Sequence, residues 1–388
     1  MLICLLKTYG RFFEIAEANL NGDCPMNQLE FGVWDQMQTY EVLNAYSASD
    51  VYETHIRQGQ MMEKAGFGYY WTLEHQGSYV GAVTSPQIFL TALARHTEHI
   101  RLGTMIWQLP FHHPIRLAQD VAMLDHLSHG RAEFGTGIGV HEHEFMRWGM
   151  NFYDRQEMGE EALDIIELAW KGDGTVTYEG KFWQINEAIV QPSPYQKPHP
   201  PIWAAVHSSR AIEFAAKRGY DMAQNIDTDE SMVKKFAEWR KLWSTARHKG
   251  PMPRQFLMRV VHVAETDEKA HEQAKRYLME ANSLGRELVA SSRLGFGSNP
   301  RGMGSEQTED IQERGRIFRE CAKSYDFWIE NGLALVGSPE TVIRQIAEGR
   351  EKIGYDHFAG KFHIGKMPHP MVEDSIKLFG EEVIPAFA

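Results

Sequence analysis

Residues 101–139 read RLGTMIWQLPFHHPIRLAQDVAMLDHLSHGRAEFGTGIG, and this stretch decides the fold. IRLGTMI (100–106) has the length and apolar character of a buried strand. PIRLAQDVAMLDHLSHG then places Leu117, Val121 and Leu124 at i, i+4 and i+7, with Pro114 in a first turn that tolerates it and Gly130 to stop the helix. RAEFGTG (131–137) returns to a strand. A strand, a crossover helix and a second strand form the unit of a parallel sheet.

The same unit repeats outward in both directions. Upstream, LEFGVWD (29–35) and YYWTL (69–73) read as strands, and VYETHIRQGQMMEKAG (51–66) and PQIFLTALARHT as helices. Downstream come the apolar helix EEALDIIELAW (160–170) and a hairpin, TVTYEGKFWQI, turning at Glu179 and Gly180. PPIWAAV (200–206), 221–224, FLMRVVHVAE (256–265) and HFAGKFHI (357–364) supply further strands. Helices at 208–217 and 230–243, the N-capped SPETVIRQIAEGREKIG and MVEDSIKLFGEEVI separate or close them. Eight strands with crossovers predict an α/β fold closed as a (β/α)8 TIM barrel with insertions, spanning 28–388. Residues 1–27 read as an appendage, and Met26 is a second candidate start. The polar stretch 266–331 exceeds one unit. Its Gly-rich centre, RLGFGSNPRGMGSEQTED, is read either as a lid over the site or as plain surface disorder.

Composition narrows the function. With 43% hydrophobic residues, ten Trp and twenty Phe among 388 residues, the chain has ample material for a large core. A formal net charge of −12 argues against nucleic acid or an anionic membrane surface as partner and leaves small molecules. Cys4, Cys24 and Cys321 form no metal or redox motif, so a cytoplasmic location is the expectation. Lys7, Arg11 and Glu14 interrupt the apolar start before it reaches spanning length.

In a parallel barrel the loops after the strands converge on one face, where active sites lie. There stand Glu74-His75, then Met105 to Gln108, Gly137 to His143, and His207-Ser208-Ser209-Arg210. His75 is the candidate acid or base, since imidazole titrates near neutrality; Glu74 either orients it or turns to solvent. The turn at Ser208 and Ser209 opens a helix, so its free N–H groups suit a phosphate and Arg210 adds charge; the alternative is an ordinary Ser cap with a solvated arginine. GTGIGV lacks the third glycine of a dinucleotide fingerprint, and Gly137 with its neighbours is read as allowing a flat ring to approach. His141-Glu-His143 has metal-ligand spacing, with His112, His113 or a carboxylate to complete a shell, but no second ligand motif accompanies it, and no metal is assigned.

The 101–139 segment, with Glu74-His75, HSSRAIEFAAKRG (207–219) and LVGSPETVIRQI (335–346), resembles the luciferase-like flavin monooxygenases. The resemblance implies that the barrel binds reduced FMN as a substrate and reacts it with O2 to a C4a-peroxyflavin, which oxidises a small organic, in particular carbonyl, compound. His75 would be the base near the flavin, in a pocket lined by Trp71, Met105, Trp107 and Phe111. Met105 and Ile106 would form a non-prolyl cis peptide under the ring, and His207, Ser208, Ser209 and Arg210 would border the phosphate. A separate flavin reductase and a homodimer or heterodimer are implied as well. Where luciferase itself has a reactive cysteine, a phosphate-binding arginine and a second histidine, this chain has Gly137, Ile138 and Gln76, so light emission is not expected. A deazaflavin enzyme on the same barrel, a metal-dependent hydrolase and a flavin carrier without turnover are the rival readings.

Overall fold

A computed structural model describes residues 28–290 and 309–388, apart from 46, 78, 79, 173 and 247. The expected appendage, 1–27, and residues 291–308, which hold all four glycines of the expected lid centre 293–310, lie outside the described residues. The strands are β1 (Glu30–Trp34), β2 (Tyr69–Thr72), β3 (Arg101–Gln108), β4 (Ala132–Gly137), the hairpin β5 (Thr175–Glu179) and β6 (Gln184–Ile189), β7 (Ile202–Ala205), β8 (Asp221–Gln224), β9 (Gln255–Val263), β10 (Ala334–Gly337) and β11 (His357–Lys361).

Every pairing in the main sheet is parallel, in the order β10-β9-β11-β1-β2-β3-β4-β7-β8, and β8 also pairs with β9. That last pairing closes eight strands into a barrel. The sequence reading of a (β/α)8 TIM barrel holds, but β10 was read only as part of a crossover. It is a ninth strand, pairing Ala334–Gly337 with Val260–Val263, beyond the point where β8 leaves β9 at Leu257. Four apolar residues without alternation carry too little pattern to separate strand from helix. The loop read after β4 likewise contains a short helix, Glu142–Arg147.

Alternation sorts the strand residues onto two faces. Phe31, Val33, Tyr70, Phe134, Ile202, Met222, Leu257 and Phe358 pack outward against the helices. Trp34, Tyr69, Trp71, Trp203, Phe256, Met258 and Ala359 fill the inside. Trp107, expected in the pocket, belongs to the outer layer beside Phe134, at 5.3 Å between ring centres. Trp71 lies inside, edge-on to Trp203 at 5.4 Å, and donates from Nε1 to His357 Nε2 at 3.0 Å. Beneath these rings, at the N-terminal ends of the strands, Glu133 is fully buried. It accepts from Trp203 Nε1 at 2.6 Å, pairs with Arg101 and lies 3.3 Å from Arg254, which reaches Asp221 at 2.7 Å.

Helix ends follow local chemistry. Ser208 caps the helix Ser209–Arg218 by accepting from Ala211 N, and Gly219 ends it at φ 70°, where L side chains are strained. Among the described residues no helix is long and apolar enough to cross a membrane.

Removing a partner from a buried ion network leaves the remaining charges uncompensated, at a cost of roughly 3–5 kcal/mol. Glu133→Ala is therefore expected to lower unfolding free energy by about that amount, measured as the shift of the urea midpoint; an unchanged midpoint would show that the network contributes nothing.

Candidate active site

The C-terminal ends of β2, β3, β4, β7 and β8 are consecutive around the barrel, so the residues that follow them share one mouth. In order, the residues within or just past these ends are Glu74-His75-Gln76, Met105-Ile106, Gly137, His207 and Asn225. The Met105–Ile106 peptide is cis, as the resemblance implied. Opposite it, a Cβ on Gly135 would stand 2.1 Å from the backbone Thr104 O, so that position requires glycine, and one on Gly137 would stand 2.2 Å from Ile106 Cδ1, whose side chain would have to turn away. Gly137 was expected to clear room for a flat ring; in this structure its open side is taken by Ile106.

His75 is held from the next loop but one. Its Nδ1 lies 2.8 Å from Glu144 Oε1. A carboxylate only accepts, so Nδ1 carries the hydrogen and Nε2 is the nitrogen free to take or give a proton. Glu144 is itself buried, and its other oxygen accepts from Gln108 Nε2 at 2.9 Å. Burial pushes the Glu144 carboxyl up, but His75, His141 and Gln108 outweigh it and hold the group below the usual carboxylate range.

Glu74 neither orients His75 nor turns to solvent. It is buried and accepts from Gln108 N at 2.8 Å, from His112 Nε2 at 2.9 Å and from Gln76 Nε2 at 2.5 Å, tying the β2 and β3 loops together. His112 thereby points at Glu74 and not at the His141-Glu-His143 segment. Among the described residues, the ligand-bearing atoms of His75, His141 and Glu144 converge within 4.8 Å, and His143 is not one of the group. His141 is three residues before Glu144 and so on the same face of that turn; its ring lies 5.4 Å from that of His75. Burial, with the charge of His75, pushes His141 down to about 3.

The turn at Ser208 and Ser209 opens a helix as read, with the Ser cap and solvated arginine of the alternative reading. Ser208 is the helix cap, and Ser209 Oγ donates to Glu238 Oε2 at 3.4 Å. Arg210 is exposed and faces Glu160 at 3.2 Å. The cation that reaches inward is Arg314, from the helix Glu309–Cys321. Its Nη1 lies 2.5 Å from His207 Nδ1 and its Nη2 donates to Asn225 Oδ1 at 3.0 Å, both neutral partners. Burial, then the Arg314 charge, pushes His207 well below its ordinary value, so Nδ1 accepts. Burial lowers Arg314 to about 10, which leaves it charged at neutral pH. Sequence reasoning placed Gln108 at the mouth without a role and missed Glu144 and Arg314. Glu144 had a signal in its spacing from His141, whereas Arg314 stands far along the chain in the polar insertion and had none.

The profile of the luciferase-like monooxygenase family matches residues 29–357. The oxygenase component of the flavin-dependent trigonelline monooxygenase of Acinetobacter baylyi is 26% identical over 363 residues, covering 93% of this chain and 96% of that protein. Limonene 1,2-monooxygenase of Rhodococcus erythropolis is 29% identical over 297 residues, covering 76% and 70%. The oxygenating constituent of 3,6-diketocamphane monooxygenase of Pseudomonas putida, solved with FMN, superposes with a TM-score of 0.73 at 21% identity, over 92% of this chain and 98% of that one; this likeness concerns the fold. The chain belongs to the luciferase-like monooxygenase family and is an oxygen-incorporating oxidoreductase.

The depressed His141 has a consequence for stability. Its ordinary value is 6.5 and its folded value about 3, so between these the unfolded chain binds a proton that the folded chain does not. The contribution is complete above pH 6.5 and is lost as pH falls toward 3. His141→Asn is expected to reduce the fall in Tm between pH 7 and pH 4, in melts of both proteins; parallel curves would show that His141 protonates freely in the fold.

Proposed function

We propose that this chain is the oxygenase of a two-component system: it takes up reduced FMN made by a separate flavin reductase and uses O2 to oxidise a small organic compound, carbonyl compounds being the first class to screen. The observation that carries this reading is the Gln108–Glu144–His75 chain, which ends at an imidazole beside the cis Met105–Ile106 peptide. The description of the trigonelline relative as an oxygenase component supports a separate reductase.

The residues at the mouth fit the cofactor. Met105 and Ile106 would support the ring, and Gly137 would set the position of Ile106. Ser208 and Ser209 at the helix N-terminus and the inward guanidinium of Arg314 beside His207 would hold the phosphate, since both hydrogen-bond partners of this cation are neutral and the nearby Asp227 carboxylate is already held by Lys235. Arg210 would contribute from the rim, in competition with Glu160. Reduced flavin supplies the two electrons that activate O2, one oxygen atom entering the product and the other leaving as water. His75 holds or moves the proton at Nε2, and Glu144 fixes its tautomer and ring plane. Glu74 acts at one remove, by keeping the β2 and β3 loops in register. Phe111, packed on Phe145 at 4.6 Å and on Trp148 at 5.7 Å, supplies an apolar wall that excludes water.

The direct test mixes the protein anaerobically with reduced FMN and, separately, with a reduced deazaflavin, then admits labelled O2 and a panel of ketones and aldehydes. Label in the product with FMN alone is expected, and His75→Ala should lower coupled turnover by roughly 10²–10⁴, releasing hydrogen peroxide instead. Binding of deazaflavin alone, or full coupling in His75→Ala, overturns the reading. Arg314→Ala is expected to weaken reduced FMN by roughly 10- to 100-fold while leaving reduced riboflavin unchanged, since a hydrogen bond to a charged group contributes about 1.5–3 kcal/mol. Equal losses for both flavins would remove Arg314 from the phosphate site.

A further inference from the structure

A second group of histidines lies where the first and last βα units meet, and the flavin chemistry does not use it. Glu41 follows β1, His55 sits in the helix Ala48–Lys64, His363 follows β11, and His369 opens the helix His369–Leu378. One potential ligand atom from each lies within 4.8 Å of all the others. His55 Nε2 stands 2.9 Å, and His369 Nε2 3.6 Å, from Glu41 Oε2. Four atoms around one Zn2+ at about 2.0–2.1 Å sit roughly 3.3 Å apart in a tetrahedron, between those two distances.

The surroundings orient His55 and His363 as ligands. His55 Nδ1 is fixed by the buried Asp35 carboxylate at 2.6 Å, which sends its hydrogen there and leaves Nε2 toward Glu41. Gln58 bridges the other two rings, with His363 Nε2 at 3.1 Å from its Oε1 and His369 Nδ1 at 3.1 Å from its Nε2. His363, so held through Nε2, has Nδ1 as its free lone pair; His369 binds through Nε2 once the Gln58 contact relaxes and Nδ1 takes the hydrogen. A pocket of ≈ 380 Å³, with Glu41, His363 and His369 in its wall, leads in from solvent. The nearby Lys366 is drawn toward Glu280, 3.8 Å away. A simple ion triad, Asp35–His55–Glu41, accounts for three of these residues and leaves unexplained why two further histidines face the same carboxylate.

The geometry points to a metal site: Glu41, His55, His363 and His369 bind one divalent transition ion of the zinc class, which ties the two ends of the barrel together. Imidazole with one carboxylate suits this class, and four protein ligands make the site structural, closed to substrate. An ion bound only by the folded chain stabilises it by mass action.

The test uses tag-free full-length protein stripped with a chelator, given one equivalent of Zn2+ and desalted. Elemental analysis should find about one zinc per chain, and Tm should rise by roughly 3 °C or more over the stripped protein. His363→Ala and the rim variant His369→Ala should lose the ion, Asp35→Asn should weaken it roughly 10- to 100-fold, and His141→Ala should keep it. Cobalt in place of zinc should give the visible absorption of a four-coordinate ion. Retention of no zinc by the unaltered protein overturns the proposal, as does zinc that survives His369→Ala and leaves with His141→Ala, which would move the ion to the barrel mouth.

Discussion

The constraint on which the rest depends is the filling of the barrel. An eight-stranded parallel barrel encloses space for side chains and nothing else, so its inward positions must be filled without leaving a polar group unpaired. This chain fills the upper part with Trp71, Trp203, Phe256 and Met258, and the lower part with a carboxylate, Glu133, surrounded by Arg101, Arg254 and the Trp203 indole. The two layers share Trp203, whose ring packs above while its Nε1 bonds below. Burying Glu133 without those donors would consume a large part of the folded state's margin of about 5–15 kcal/mol.

A rigid interior lets the mouth carry a delicate arrangement. Glu74 and Glu144 are both buried and both bound to Gln108, Glu74 through its backbone N–H and Glu144 through its amide. One residue at the end of β3 thus positions two loops, and the imidazole of His75 inherits its orientation from them. The opposite wall is set by Arg314, a charge delivered by a segment that is not part of the barrel repeat. Arg314 brings its guanidinium to the mouth from outside the run of strand-end loops that supply the other residues.

The mouth was legible in the sequence to the extent that it follows from the repeat. His75, Met105, Ile106, Gly137, His207 and Ser208 each stand in or just past the C-terminal half of a strand, and counting strands was enough to bring them together. The pairing of these residues was not legible. His75 could have been oriented by its neighbour Glu74, yet the partner is Glu144, 69 positions away. Arg210 was the arginine in the right turn, yet it faces Glu160, and the inward cation comes from a polar helix with no strand to mark it.

The sequence by itself determined the architecture and the chemistry at hand, because alternation and helical spacing are local properties that the backbone imposes wherever apolar residues must be buried. Tertiary structure alone decided which side chains meet. Contacts such as Glu144 with His75, Arg314 with His207, and Glu41 with His369 join residues 69, 107 and 328 positions apart, set by barrel closure and by the paths of loops over its rim. No local pattern encodes such distances. The short β10 shows the same division, since four apolar residues become a strand only where β8 leaves the edge of β9 unpaired and its backbone groups need partners.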